Sequence, residues 1–276
     1  MMEIPESLTI ANQLNGVVFG KTIKNVIAGY SPHKFAFYQG DPANYNELIS
    51  GRVIGRSAGI GSMVEISVDN RRIVLSEGVN LRYYDDSNKT PPKHQLLIEA
   101  DDGNILVASV QMYGALLVFV EGDSDNKYYH IAREKPSPLD DNFDLIYFNT
   151  LRTGDTNTLS VKAYLATGQR IPGLGNGVLQ DILLLARIHP KRKMETISGK
   201  EYTVLFHSVK NTLAEMVRLG GRDTEKDLFG RAGRYKTLLS KNTVGKPCTI
   251  CGFIIEKSFY LGGAIYWCPN CQTSLK

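Results

Sequence analysis

Two short cysteine pairs, Cys248-Thr249-Ile250-Cys251 and Cys268-Pro269-Asn270-Cys271, decide the fold of the last thirty residues and contain every cysteine of the chain. Each pair can place two thiolates on one tight turn, and the sixteen residues between the pairs are enough for one hairpin. This spacing is typical of a four-cysteine Zn²⁺ site. Because so short a segment buries little core, we expect the metal to supply most of its folding free energy. The alternatives are two disulfides, which the lack of a recognisable secretion signal disfavours, or buried cysteines with chance spacing.

The whole chain has 276 residues and the composition of a globular protein, with 42% hydrophobic and 22% charged residues. This length is enough for two ordinary domains and a small metal module. The opening, Met1–Ser7, has neither a basic nor a long apolar region, so it does not resemble a signal peptide. No apolar run reaches the roughly eighteen residues of a membrane span. We therefore expect a cytoplasmic protein without a membrane partner.

Charge is unevenly distributed along the chain, although the formal net charge is only +4. Residues 168–276 carry an excess of lysine and arginine over aspartate and glutamate, whereas residues 1–167 are net acidic. A basic half joined to an acidic half indicates a polyanion partner, nucleic acid first, bound mainly by the second half. A solvated basic surface without such a partner is the alternative.

The first half of the chain alternates short runs of strand-forming residues with turn signals such as Asp101-Asp102-Gly103-Asn104. This pattern is typical of an antiparallel sandwich or barrel. A short helix is predicted at Ser7–Asn15, and a polar loop at Glu121–Asn126. The predicted strands are Thr22–Tyr30, Lys34–Tyr38, Arg52–Ser57, Met63–Val68, Arg72–Leu75, Leu81–Tyr84, Gln95–Ala100, Ile105–Val110 and Leu116–Val120.

After a linker at Lys135–Pro138, the apolar period changes towards that of helices. Ser198 is a plausible N-cap for the longest helix, and Gly220-Gly221 a plausible stop. The predicted helices are Phe143–Leu151, Thr158–Ala166, Gly175–Ala186 and Gly199–Leu219, with a weaker turn around Lys226–Phe229.

A glycine-rich turn, Ile171–Asn176, runs directly into one of these helices. It offers backbone N–H groups and an asparagine amide at a helix N-terminus, with Lys162, Gln169 and Arg170 just upstream. Such an arrangement can bind phosphate. An ordinary tight turn explains the local sequence equally well.

The chain carries seven short motifs in a fixed order: Asp140–Phe143, Val161-Lys162, Pro172–Asn176, Ala186–Pro190, Gly220–Asp223, Gly245–Cys248 and Trp267–Gln272. Together they resemble the formamidopyrimidine-DNA glycosylase / endonuclease VIII family, in register over the whole chain and most densely from about residue 136 onward. The resemblance implies an α+β multidomain fold: an N-terminal antiparallel β-sandwich over 1–135, a helical helix-two-turn-helix domain over 136–240 and a C-terminal zinc ribbon over 241–276. It also implies that double-stranded DNA lies in the cleft between them, with a damaged base flipped out, excised, and the abasic site nicked.

The resemblance implies catalytic residues at the amino terminus. The family's nucleophile is the α-amine of an N-terminal proline, and that position falls on Met2. An α-amine suits this task because its reference pKa of about 8 leaves part of it unprotonated at neutral pH. If translation starts at Met2, its own amine is in place; if it starts at Met1, the amine is one residue away. Glu3 matches the family's acid/base and Glu6 the glutamate that positions it; without the resemblance, both would be exposed acids beginning a helix.

Three features differ from the family pattern. The family places a lysine on a strand after a Gly-Arg pair, and the corresponding residues 57–63 contain none. The residues that fill the gap left by the flipped base correspond best to Glu77, Gln111 and Tyr113, of which Tyr113 keeps a ring that can stack. The ribbon turn, Leu261–Ile265, is one residue shorter and lacks the family's arginine. These differences affect catalysis more than binding, because one lost phosphate contact costs only about one counterion.

The DNA-binding positions are better retained. Lys162 and Asn176 match family phosphate contacts, and with Tyr113 they are our predicted DNA-binding residues. We therefore expect a monomeric, nucleoid-associated DNA-binding protein of base-excision repair, from a family of DNA glycosylases with AP lyase activity, acting on damaged or abasic DNA with a degenerate active-site pattern. The alternative is a catalytically inactive binder of abasic or distorted DNA. A zinc-ribbon RNA-binding protein is a third interpretation, and a lesion-reading loop is expected near residues 199–233.

Overall fold

The computed structural model describes residues 1–273, so the last three residues of the predicted ribbon, 274–276, lie outside it. Two β-sheets form the first half of the chain, helices follow, and a two-stranded hairpin closes the described part. This order confirms the predicted fold class.

The two sheets of the first half pack face to face as a sandwich. One has the order β1-β7-β8-β6 and the other β2-β9-β5-β4-β3. All strand pairs of the described sandwich are antiparallel except β2 with β9, where Ala36 pairs in parallel with Gly114. The strands are β1 (Ile23–Ala28), β2 (Ala36–Tyr38), β3 (Ile54–Ile60), β4 (Met63–Val68), β5 (Arg71–Leu75), β6 (Val79–Tyr84), β7 (Leu96–Ala100), β8 (Ile105–Val110) and β9 (Gly114–Val120).

Alternating apolar residues explain how these strands pack. Ile73 and Val118 point into the space between the sheets, where they join a large core with Leu14 of the first helix. Val74 and Leu117, one residue along each strand, point to the opposite face and pack under Tyr129. The five-stranded sheet is therefore covered on both faces, which explains the consecutive apolar residues Ile73–Leu75 in β5 and Ala115–Val120 in β9.

The first helix, α1 (Ile4–Val17), begins three residues earlier than the predicted start at Ser7. Glu3 is its N-cap: Glu3 and Glu6 form a capping box, and Pro5 occupies the first turn, where its missing N–H costs nothing. Ile10 packs in the sandwich core and Ile4 in the helical core. The helix thus joins the two large domains.

Two short helices of the first half were not predicted. They are α2 (Tyr45–Ile49) and α3 (Lys127–Glu134). The second follows the predicted polar loop at once, and Asn126 caps it by accepting a hydrogen bond from the N–H of Tyr129. It is only eight residues long, buries Tyr129 and Ala132 on one face, and packs on β5 and β9.

The helical domain consists of α4 (Leu145–Thr150), α5 (Val161–Ala166), α6 (Asn176–Leu185) and α7 (Gly199–Arg218), close to the predicted ranges. Ser198 caps α7 with a capping box, as predicted, and the chain leaves the helix through Gly220 and Gly221, both at positive φ. The weak turn predicted around Lys226–Phe229 forms no helix within the described residues.

The hairpin β10 (Glu256–Tyr260) and β11 (Gly263–Trp267) forms the predicted ribbon. A small core of Leu184, Leu239 and Ile255 joins it to α6. The side chain of Gln180 in α6 accepts a hydrogen bond from the N–H of Tyr266 at 3.0 Å, which fixes the hairpin along the helix. Across residues 1–273, no helix is both long and apolar enough to cross a membrane.

Candidate functional site

The N-terminal segment lies between the two large domains. The N–H of Met2 donates to the carbonyl of Glu77 in the sandwich at 3.1 Å, and the N–H of Ile4 donates to the carbonyl of Gly173 in the glycine-rich turn at 3.2 Å. Glu3, between them, is held at the junction and is only 5% exposed.

The carboxylate of Glu3 caps the N-terminus of α6. The N–H of Gly177 donates to Oε1 and that of Val178 to Oε2, both at 2.8 Å. Gly175, the N-cap residue of this helix, supplies no side-chain cap, so Glu3 satisfies donors that would otherwise be unpaired. The predicted phosphate-binding N–H groups of this turn are thus occupied by a protein carboxylate.

The glycines of the turn make this approach possible. A Cβ on Gly175 would lie 2.7 Å from Cδ of Glu3. A Cβ on Gly177 would overlap the Arg222 guanidinium and lie 2.8 Å from Oε1 of Glu3. The glycine-rich sequence is therefore explained by the close packing of two charged side chains against a helix N-terminus.

Arg222 is the cation of this site, and it is 2% exposed. Its Nε and Nη2 donate to the two carboxylate oxygens of Glu6 at 3.0 and 2.7 Å, and its Nη1 lies 3.6 Å from Oε1 of Glu3. Nη2 also donates to the carbonyl of Met1 at 3.2 Å. Sequence analysis missed this residue, because an arginine in an irregular segment after two glycines carries no periodic signal.

The electrostatic environment of Glu3 favours proton exchange. Burial raises the pKa of its carboxyl group, the Arg222 guanidinium opposes that rise, and the neighbouring Glu6 adds to it. A carboxyl with a raised pKa can hold or release a proton nearer neutral pH than an exposed one, as acid/base catalysis requires.

Met2 lies next to this carboxylate, but its side chain is part of the sandwich core and 6% exposed. Its backbone N–H is the group bonded to Glu77, and the amino group of Met1 contacts the carboxylate of Glu225. The structure places Met2, Glu3 and Glu6 together, and the catalytic roles assigned to them stay predictions.

Glu77 and Tyr113 form a second group beside the N-terminal segment. The Tyr113 hydroxyl donates to Oε1 of Glu77 at 2.8 Å, and the Ser62 hydroxyl donates to Oε2 at 3.3 Å. Burial and the Glu77 carboxylate raise the pKa of Tyr113 to about 12, so its hydroxyl stays protonated. This hydrogen bond fixes the direction of the Tyr113 ring.

Lys162 and Asn176 meet at the ribbon turn. Nζ of Lys162 donates to the carbonyl of Tyr260 at 2.6 Å, and Nδ2 of Asn176 donates to the carbonyl of Ala264 at 2.9 Å. Gly263 lies directly beside both, since a Cβ there would be 3.5 and 3.4 Å from these two nitrogen atoms. Burial lowers the pKa of Lys162. Both side chains thus hold the turn that lacks the family's arginine.

The four cysteines lie together at the base of the ribbon. Their sulfur atoms are all within 4.8 Å of one another, and all four are free thiols. A tetrahedral site with Zn–S bonds of about 2.3 Å needs sulfur atoms about 3.8 Å apart, which this cluster fits. Gln272 fixes the second pair, accepting from the N–H of Cys268 and donating to the carbonyl of Ile188, both at 3.0 Å. Within residues 1–273, this is the one cluster of potential metal ligands that contains cysteine: Cys248, Cys251, Cys268 and Cys271.

Comparison with known proteins gives one consistent family. The model of the formamidopyrimidine-DNA glycosylase H2TH domain matches residues 135–227. Formamidopyrimidine-DNA glycosylases are similar over full length. That of Bacillus anthracis is 28% identical over 278 residues, covering 99% of each chain, and that of Streptococcus pneumoniae is 24% identical with the same coverage.

Solved structures share the fold over the whole chain. The MutM (Fpg) protein of Thermus thermophilus superposes with a TM-score of 0.82 at 22% identity, covering 99% of this chain and 100% of that one. Lactococcus lactis Fpg in complex with DNA containing an abasic site gives 0.85 at 22% identity with the same coverage. Domain model, full-length relatives and fold agree: residues 135–227 match the formamidopyrimidine-DNA glycosylase H2TH domain, and the chain is similar to formamidopyrimidine-DNA glycosylases over its whole length.

Proposed function

We propose that this protein binds damaged or abasic double-stranded DNA as a monomer at the nucleoid and acts in base-excision repair as a DNA glycosylase and AP lyase. One observation carries the proposal: the buried Glu3 carboxylate lies at a helix N-terminus, where the sandwich and helical domains meet. The relatives named formamidopyrimidine-DNA glycosylase and the neighbour solved with abasic DNA support the same class of substrate.

In this proposal, Glu3 exchanges the proton that excision and strand cleavage require. Its two oxygens accept from fixed N–H donors, so the carboxyl group is held in one orientation when a base is protonated for departure. Glu6 and Glu3 both contact Arg222, and Glu6 positions Glu3. The proposed nucleophile is the α-amine of Met2, which is free when translation starts there, and it attacks the sugar C1′. On a damaged nucleotide the base is the leaving group, and opening of the sugar ring then gives the Schiff base. At an abasic site, which has already lost its base, the same imine forms with release of water.

The DNA contacts of the proposal come from the basic second half, together with one ring of the sandwich. Lys162 and Asn176 neutralise or bond phosphates near the ribbon turn, and Tyr113 stacks beside the site of the extruded base. Zn²⁺ bound by the four cysteines would give the ribbon its folding free energy and supplies no chemistry to the reaction.

Borohydride trapping on a duplex with one abasic site tests the lyase proposal. A Schiff base is reduced to a stable covalent protein–DNA adduct, and peptide mapping of that adduct identifies the amine. We expect the adduct at an N-terminal α-amine. Mass spectrometry of the native N-terminus decides between the two starting residues: a retained Met1 in the active protein excludes Met2 as the nucleophile.

The second candidate function is a catalytically inactive binder of abasic or distorted DNA. Three observations favour it: the N–H of Met2 is bonded to Glu77, residues 57–63 contain no lysine, and the turn Leu261–Ile265 contains no arginine. Tight, lesion-selective binding without any trapped adduct and without excision of oxidised purines or pyrimidines would establish this function.

A further inference from the structure

Arg222 is shared between the two glutamates of the candidate site. It contacts Glu6 through a backbone N–H, Nε and Nη2, and it reaches Glu3 through Nη1 at 3.6 Å. All three side chains are at least nine-tenths buried. One guanidinium therefore balances two carboxylates in a site from which water is largely excluded.

We propose that Arg222 is a positioning residue for Glu3, which holds the carboxylate on the N-terminus of α6 and sets the pH range in which it exchanges a proton. This inference rests on the proposed function of Glu3. It assigns a role in the site to a residue outside the N-terminal segment. Arg222 comes directly after the two glycines that follow α7.

The geometry supports a positioning role in two ways. First, the guanidinium occupies the space beside Gly177 that a side chain would fill, so it braces Glu3 against the helix. Second, Nε and Nη2 hold the Glu6 carboxylate, which in turn accepts a hydrogen bond from the backbone N–H of Glu3 at 3.1 Å. Removing Arg222 would free both the side chain of Glu3 and the Glu6 carboxylate that holds its backbone.

Other charged groups around the site do not replace this cation. Glu6 faces both Glu3 and Arg222, Glu225 contacts the Met1 amino group, and the field of Asp181 also reaches Arg222. All of these side chains are acidic, so loss of the guanidinium leaves the buried carboxylates of Glu3 and Glu6 with only backbone N–H groups to stabilise them. The pKa of Glu3 then rises, since an opposite charge has been removed.

The experiment compares the wild-type protein with Arg222→Ala and Arg222→Lys in the zinc-loaded, full-length form. Arg218→Ala is the matched control, because Arg218 lies at the end of α7, is 68% exposed and pairs with Glu215. Folding of each variant is checked by thermal melting and zinc content. Single-turnover base excision is then measured across pH, with and without added guanidinium chloride at concentrations that do not unfold the protein.

For Arg222→Ala we expect excision at neutral pH to fall by about 100-fold, the loss typical of a displaced catalytic group. The limb of the pH–rate profile that reports Glu3 is identified by its loss in a Glu3→Gln variant. In Arg222→Ala we expect this limb to move to higher pH by about one to three units. Guanidinium restores a substantial part of the rate, Arg222→Lys shows a smaller shift, and Arg218→Ala matches wild type.

A folded Arg222→Ala variant whose pH–rate profile coincides with wild type would overturn the inference. If Arg222→Ala does not fold, the test rests on Arg222→Lys. A pH–rate profile of Arg222→Lys that is identical to wild type would also overturn the inference. Failure of the proposed function is a separate result: wild type itself would then excise no base and form no adduct at any pH, and this inference would fall with it.

Discussion

At the scale of single residues, Glu3 explains more of the site than any other position. The same carboxylate caps α1 with Glu6, caps α6 across the domain junction, and contacts the buried arginine. Its raised pKa comes from burial, so the feature that makes it suitable for proton exchange also ties it to the fold. A change at Glu3 should therefore affect rate and stability together.

The first prediction concerns Glu3→Gln. We expect base excision and lyase activity to fall by about 10²- to 10⁴-fold, because an amide cannot exchange the proton. Binding to an abasic-site duplex should change little, since Glu3 is only 5% exposed and is not one of the proposed DNA-binding residues. Single-turnover kinetics and a fluorescence binding assay measure the two effects. The exposed Glu195→Gln is the control, and equal activity of the two variants would contradict the role of Glu3.

At the scale of elements, the decisive contact is the N-terminus of α6 against the N-terminal segment. Gly177→Ala is the second prediction: there is no room for a methyl group between Arg222 and Glu3. We expect the free energy of unfolding to fall by about 1–3 kcal/mol through overpacking, with loss of excision. Chemical denaturation and kinetics measure both.

Gly199→Ala is the matched control for this change. Gly199 begins α7, a Cβ added there would have nothing within 4 Å, and the variant should gain slightly in stability from the better helix former. If Gly177→Ala and Gly199→Ala had the same free energy of unfolding and the same excision rate, Glu3 would not need its close contact with α6.

Sequence patterns predicted most elements but not the contacts between them. The nine strands follow from short runs of strand-forming residues between turn signals, such as Ile73–Leu75 in β5, and α7 follows from its Ser198 cap. The parallel pairing of β2 with β9 and the packing of α3 on the outer face of the five-stranded sheet join distant parts of the chain, which no local pattern encodes. The role of Arg222 depends on two glutamates about 216 residues earlier in the chain, so it too lies beyond local reasoning.

At the scale of the whole molecule, we propose that the ribbon depends on a metal ion held by its four cysteines. The third prediction is that chelation of Zn²⁺, or Cys251→Ser, unfolds the ribbon, because its own core is only a few residues. Duplex binding should weaken strongly, while the sandwich, with a separate core, still melts cooperatively. Zinc content, circular dichroism and binding measure these effects. Full affinity for DNA in zinc-free protein would contradict the proposed ribbon contact.

The last prediction concerns how the basic half binds DNA. Lys162 holds the ribbon turn through the carbonyl of Tyr260, and in the proposal it also meets a phosphate. Lys162→Ala should weaken binding to damaged and undamaged duplexes by a similar factor. It should also reduce the slope of log affinity against log salt by about 0.9, the value for one lost phosphate contact.

Lys89→Ala is the control for this salt dependence, because Lys89 is exposed, lies in the acidic half and pairs with Asp85. It should leave both affinity and slope unchanged. A Lys162→Ala protein with normal zinc content, weaker binding and an unchanged slope would mean that Lys162 acts only by holding the ribbon turn. The phosphate contact would then belong to another residue of the basic half.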